Sequence, residues 1–250
     1  MNPWATLRAV IHQRLAEVLT EVAVQRERSL EGALARRAAE ESVIWLEPHL
    51  MKARAFGCKY KLLAAAMESC VRMRNGLWCE FGVYRGETIN FIAGFAPEKV
   101  HGFDSFEGLP EDWRPNHKKG HFKVQRPNVR GNVELHPGWF DQSLLVFQQR
   151  HQGPLEFGHV DADLYSSTKT ILEVFNHRIV PGTVLVFDEF LNYPGWREGE
   201  HRAFEEFCAL VGLEYEVIGY VPRSEQIALK ITGRAAGERR SKPNSIALRR

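Results

Sequence analysis

The stretch HVDADLYSST, residues 159–168, places two carboxylates, Asp161 and Asp163, at the end of an apolar run. A second pair, Asp188 and Glu189, closes the run TVLVFDEF. Asp161 and Asp188 lie 27 positions apart (188 − 161), the length of one strand–helix–strand unit. Their strands should therefore be neighbours or nearly so. Asp161, Asp188 and Glu189 would then meet at one rim and repel one another unless a cation intervenes. A hard divalent ion with oxygen ligands, Mg²⁺ or Ca²⁺, resolves the conflict. The plainer alternative is that the carboxylates diverge, or that Lys and Arg neutralise them.

Two earlier strand ends carry the same kind of signal. In EFGVYRG, residues 80–86, Glu80 ends a short apolar run, Gly82 permits a sharp turn, and Gly86 lets the next helix begin close to a ligand. This is not the dinucleotide fingerprint: Tyr84 stands where a small residue would cradle pyrophosphate. In GFDSFEGLP, Asp104 follows Glu80 by 24 positions (104 − 80), with Ser105 beside it. An acid at a second strand end suits a ribose diol. A ribose acid without a phosphate cradle points to a nucleoside ligand. In open α/β sheets such ligands lie beyond the carboxyl ends of the strands.

These residues need a sheet to bring them together, and the rest of the chain predicts one. From Gly76 onward, strand-like and helical stretches alternate: LWCEFGV, ETINFIAGFA, KVHGFDSF, VELHPG, DQSLLVFQQRH, LEFGHVDADLY, STKTILEVFNHRI and TVLVFDEF. Such alternation predicts a parallel sheet covered on both faces. LEYEVIGYV and EQIALKI then follow so closely that they should form an antiparallel hairpin. Ahead of this unit, residues 5–45 predict helix, with Leu7, Val10, Ile11, Leu15, Val18, Leu19 and Val22 at three- and four-residue steps. That face should cover this protein's own core or a second subunit. KYKLLAAAMESC predicts another helix, stopping near Asn75-Gly76.

Taken in order, EFGVYRG, GFDSFEGLP, VDADLYSST and PGTVLVFDEF resemble the macrocin O-methyltransferase family over roughly residues 76–232. The resemblance implies a Rossmann-like class I methyltransferase fold: a mostly parallel seven-stranded sheet closing in an antiparallel hairpin, with an N-terminal helical extension. It implies S-adenosylmethionine as cofactor, a small hydroxylated acceptor such as a natural-product sugar, and Mg²⁺ held by Asp161, Asp188 and Glu189. The last position departs from the family, where a second Asp is commoner. On this reading Glu80 faces the amino-acid end of the cofactor, and Gly82 and Gly86 admit its close approach. Tyr84, Ser105 and Asp161 join the cofactor contacts, Asp104 holds the ribose, and Gly138 and Trp139 offer an adenine wall. Asp161 serves as metal ligand and proton acceptor, while strand alternation sends Asp163 to brace the following turn. His201 is a candidate general base, with a surface histidine as the plainer reading. Tyr193 and Trp196 are expected as exposed loop aromatics above the site, where acceptor choice would be made.

The bulk composition is compatible with this picture. The chain has 250 residues, 44% of them hydrophobic, and a net charge of +2, which gives no general case for nucleic acid as a partner. No apolar run approaches the roughly 18 residues of a membrane span. Cys58, Cys70, Cys79 and Cys208 form no CxxC pair, which suggests reduced, mostly buried thiols in a cytoplasmic protein. The expected organisation is residues 1–75 as a helical cap or homo-oligomerisation segment, 76–232 as the methyltransferase unit, and 233–250 as a basic flexible tail. The competing readings are methylation of a carboxylate, amine, phenol or peptide, or a non-catalytic nucleoside-binding protein. The missing pyrophosphate cradle disfavours an NAD-dependent oxidoreductase.

Overall fold

The computed structural model describes residues 3–234. The tail beyond Arg234 lies outside the described residues. Among the described residues, eight strands form one sheet: β1 (Arg54–Ala55), β2 (Leu77–Phe81), β3 (Val100–Asp104), β4 (Val133–Pro137), β5 (Leu155–Val160), β6 (Val184–Phe187), β7 (Leu213–Tyr220) and β8 (Ile227–Arg234). Their spatial order is β1-β7-β8-β6-β5-β2-β3-β4. β2 pairs in parallel with β3 and β5, while β8 runs antiparallel to both β6 and β7. The mostly parallel sheet and late hairpin expected from sequence are thus present. The strand beyond the expected seven is β1, two residues parallel to the edge of β7 and too short to leave a periodic signal.

Seven α-helices among the described residues accompany the sheet: α1 (Pro3–Arg28), α2 (Leu30–Leu46), α3 (Lys59–Glu68), α4 (Glu87–Ile92), α5 (Phe140–Arg150), α6 (Tyr165–Phe175) and α7 (Glu200–Val211). Strand pleat decides which helix each residue meets. Leu77, Cys79 and Phe81 of β2 join one apolar cluster with Phe147 of α5, Phe175 of α6 and Phe204 of α7. Trp78 points the other way, into a cluster with Leu62 and Leu63 of α3 and Ile89 of α4. Glu80 shares the parity of Trp78, which bears on its role below.

The N-terminal helices divide in what they cover. Ala38 and Leu46 of α2 belong to the core, and the Ser42 hydroxyl accepts a hydrogen bond from the Asn192 amide at 2.8 Å. So α2 holds the loop that follows β6. On α1, by contrast, Ile11, Leu15, Val18, Leu19 and Val22 are all exposed. The cysteines are free, with Cys79 and Cys208 buried, Cys70 half-buried and Cys58 exposed.

Gly82 illustrates how tightly the strand ends are fitted. Its φ is +95°, and a Cβ there would overlap the backbone carbonyl oxygen of Asp161. Gly82→Ala is expected to lower stability by about 2–4 kcal/mol, through strain at positive φ plus displacement of the Asp161 loop. Chemical denaturation would check this. An unchanged midpoint would show that the loop gives way freely.

Candidate active site

A cleft of about 490 Å³ opens at the carboxyl ends of β2, β3, β5 and β6. That volume is in the range of small-molecule sites. One half is lined by Gly82, Tyr84, Asp104, Ser105, Gly138 and Trp139. The floor carries Asp161, Asp163, Asp188 and Glu189, with Lys59 beside them. The opposite wall comes from Trp113, Arg114, His117 and Phe122 and from Ser224, Glu225 and Gln226.

Asp104 is fixed by its own loop. Its Oδ2 accepts hydrogen bonds from the Val83 and Tyr84 amides at 2.9 and 2.8 Å, and Oδ1 accepts from Phe106 at 2.7 Å. Tyr84 adopts a left-handed φ of 49°, the bend that turns this backbone toward the Asp104 carboxylate.

Three residues expected at the site lie elsewhere. Glu80 is fully buried and absent from the cleft wall; its Oε1 accepts from His159 Nδ1 at 2.8 Å. The pleat directs it into the sheet's α3/α4 face, across from His159 on β5. Gly86, also at positive φ, would press a Cβ against Pro127 and Val129, so its constraint is protein packing. His201 is buried among Trp45, Phe190 and Trp196, with ring centroids at 5.5, 5.0 and 4.5 Å. Burial, followed by the charge of Arg197, pushes its pKa down to about 4. It is a neutral core imidazole outside the cleft, neither a base at the site nor a surface histidine. Tyr193 and Trp196 are likewise buried, where exposed loop aromatics were expected.

The acidic floor is electrostatically divided. Asp188 is flanked by His159 Nε2 at 3.7 Å and Lys59 Nζ at 3.6 Å. Burial disfavours its charge, but His159 and Lys59 outweigh that and hold it down at about 2. Burial likewise opposes the charge on His159, yet Asp188 and Glu80 raise it to about 10. At Asp161 and Glu189 the nearby cations do not make up for burial. Enclosure by protein, then the neighbouring acids, pushes both well above the ordinary carboxylate range. Asp163 rises to about 7, through burial that Arg114 only partly offsets.

Two clusters could hold a cation on this floor, with ligand atoms within 4.8 Å of one another: His159, Asp161 and Asp188, and Asp161, Asp163 and Glu189. The expected set of Asp161, Asp188 and Glu189 is split between them, with Asp161 in both. Asp163 therefore faces the cleft too. β5 ends at Val160, so strand alternation stops short of Asp163, and its φ of 61° turns it back inward. A floor of carboxylates with raised affinity for protons, and with Glu189 Oε2 buried and unpartnered, suits a hard divalent cation.

Sequence reasoning missed the residues that arrive from outside the strand ends. Glu200, at the start of α7, is fully buried. Its two oxygens accept from the Ala162 and Glu189 amides, both at 3.1 Å. It ties the loop after β5 to the loop after β6. Burial raises it to about 8 despite these bonds. Arg114 stacks between Trp113 and Tyr193, 3.9 and 3.8 Å from their ring centroids, and grips Glu225 through two hydrogen bonds. This joins the loop after β3 to the β7–β8 turn, across the mouth of the cleft. Only the Trp-Arg and Ser-Glu-Gln stretches themselves could have hinted at it, and neither has a periodic context.

The mostly parallel sheet closed by an antiparallel hairpin is the class I methyltransferase fold. Residues 79–190 match the family model for a methyltransferase domain. Among characterised proteins, the 8-demethyl-8-(2,3-dimethoxy-alpha-L-rhamnosyl)-tetracenomycin-C 4'-O-methyltransferase of Streptomyces olivaceus is 30% identical over 137 residues. That match covers 44% of this chain and 51% of the relative, so the chain spans about half the length of this curated relative. Among solved structures, the calicheamicin methyltransferase CalS11 superposes with a TM-score of 0.56 at 20% identity, covering 80% of this chain and 92% of its own. The O-methyltransferase NovP does so with a TM-score of 0.54 at 18% identity, covering 70% and 78%. These structures share the fold.

Proposed function

We propose that this protein is an S-adenosylmethionine-dependent O-methyltransferase acting on a hydroxyl of a sugar or a related small natural-product-like acceptor. The observation that carries the reading is the cleft's division, with a nucleoside-sized half at β2, β3 and β4 meeting a carboxylate floor at β5 and β6. The Streptomyces olivaceus relative, named for methylating a rhamnosyl oxygen, supports the acceptor class.

When bound, S-adenosylmethionine supplies a methyl group on cationic sulfur, and Mg²⁺ would supply positive charge that eases loss of the acceptor's proton. The residues that would hold the metal are Asp161, Asp163 and Glu189, whose ligand atoms converge, with Asp188 adjoining. Asp104, immobilised by three amides, presents its carboxylate to the ribose hydroxyls. Gly82 keeps the backbone clear, while Tyr84, Ser105, Gly138 and Trp139 enclose the nucleoside. Asp161 accepts the acceptor's proton. Glu200 holds the two acid-bearing loops at a fixed separation. The Trp113–Arg114–Glu225 wall closes the acceptor side and orients the hydroxyl, which is where in-line transfer gains its rate. The test is mass spectrometry of a panel of glycosylated and polyhydroxylated acceptors, with a gain of one methyl on oxygen expected. Methylation confined to amines or carboxylates would overturn the acceptor class.

The acidic floor has a consequence for stability that does not depend on turnover. Asp163 and Glu200 have folded pKa values near 7 and 8, above their unfolded values. Their contribution is fully present below about pH 4. It is lost as pH rises through the folded values. In EDTA the melting temperature should therefore fall between about pH 4 and pH 8, and millimolar Mg²⁺ should restore most of it at pH 8 and above. Equal melting curves with and without Mg²⁺ at pH 9 would count against a metal on this floor.

The exposed apolar residues of α1 suit self-association through the N-terminal helices. Sedimentation is expected to show an oligomer that Leu15→Glu with Leu19→Glu dissociates. A monomeric parent would refute this.

A further inference from the structure

The sheet edge farthest from β1 carries a second group of ligating side chains, which the proposed chemistry does not use. β3 and β4 run in parallel there, with His101 in register with Glu134 and Phe103 in register with His136. His151 follows as the C-cap of α5, the next element in the chain. One ligand atom from each of His101, Glu134 and His151 lies within 4.8 Å of the others. His136 stands beside them, its Nε2 3.1 Å from His101 Nδ1. Phe147 packs beneath, stacked on His151 at 4.3 Å and edge-on to His101 at 4.9 Å. β4 is the edge strand, so the group opens to solvent: Glu134, His136 and His151 are half-buried, and His101 alone is buried.

We propose that His101, Glu134 and His151 form a binding site for a borderline transition cation of the Zn²⁺ type, separate from the catalytic cleft, with His136 orienting His101 through their shared hydrogen bond.

The donor set argues for this ion class. Two imidazoles and one carboxylate with an open fourth position make a recurring zinc arrangement. Mg²⁺ and Ca²⁺ prefer all-oxygen shells, so they favour the carboxylate floor over this site. Ligand imidazoles commonly pass their other nitrogen to an orienting partner, which is the place His136 occupies. Lys99 bonds one Glu134 oxygen at 2.9 Å, and a carboxylate has a second oxygen to offer. A packed aromatic cluster would explain the stacking on Phe147. It would not explain why a carboxylate converges with the imidazoles at an open edge. A cation here would tie together β3, β4 and α5, whose N-terminus adjoins Gly138 and Trp139 of the cleft.

The test is titration of the full chain with Zn²⁺, and with Co²⁺ as a spectroscopic probe, in excess Mg²⁺. About one equivalent should bind with micromolar or tighter affinity, with Co²⁺ absorption typical of a low-coordinate, nitrogen-containing shell. His151→Ala should weaken Zn²⁺ binding by about tenfold or more while S-adenosylhomocysteine binding is unchanged. Glu134→Gln, on the open side of the site, gives the same test should the first variant fold poorly. Zn²⁺ affinity within about twofold of the parent in a folded variant would overturn the proposal, as would no Zn²⁺ binding below about 1 mM.

Discussion

Asp161→Asn is expected to lower turnover by about a thousandfold or more while S-adenosylhomocysteine still binds within about threefold of the parent. Asp161 is common to both cation-capable clusters on the floor, and its backbone carbonyl packs against Gly82. The amide keeps the shape, so the packing survives. It removes the proton acceptor and weakens the ligand set together. Single-turnover kinetics separates the two effects. If ligation dominates, raising Mg²⁺ recovers part of the rate. If proton transfer dominates, the loss persists at saturating metal. Parental turnover in this variant would remove Asp161 from the chemistry.

His159→Leu is expected to have the largest effect on stability, about 3–5 kcal/mol. His159 lies fully buried between Glu80 and Asp188, and its charge is what both carboxylates face. Leucine fills much of the volume and leaves two buried acids without that cation. At about 2–4 °C per kcal/mol for a chain of this size, the melting temperature should fall by roughly 6–20 °C. The pH dependence has a definite sign. The folded pKa of His159, about 10, lies above its unfolded value. Its contribution is complete below about pH 6.5. It is lost as pH rises through about 10. The gap between parent and variant should therefore narrow at alkaline pH. Equal melting temperatures at neutral pH would show that Glu80 is protonated and the network carries no net charge to compensate.

Much of the architecture was legible because it rests on periodicity. Strand and helix alternate cleanly from β2 to β6, and β7 and β8 are separated by too little chain for a crossover. The carboxylates at Asp104, Asp161, Asp188 and Glu189 stood out because apolar strands seldom end in acids without cause. What failed was direction. Glu80 ends β2 as Asp104 ends β3, but it is still inside the strand, and its pleat sends it to His159 instead of the cleft. Asp163 lies beyond the end of β5, where strand parity no longer sets direction. His201 could have been placed from helical spacing alone: with Phe204 and Cys208 it falls on the buried face of α7. Lys59, Arg114, Glu200 and Glu225 were out of reach for a different reason. Each acts through a partner far away in sequence. Arg114 and Glu225 meet across 111 positions, and local pattern carries no trace of such a pair.

The account turns on whether the cleft at β2, β3 and β4 takes the cofactor. Calorimetric titration with S-adenosylhomocysteine, once with Mg²⁺ and once with EDTA, addresses that directly. The account predicts binding at about 100 μM or tighter in at least one buffer, a free energy of about −5.5 kcal/mol or better. Asp104→Ala should weaken that binding by about tenfold or more, consistent with loss of charge-assisted hydrogen bonds to the ribose. No heat up to millimolar ligand in either buffer, together with no thermal stabilisation, would contradict the account.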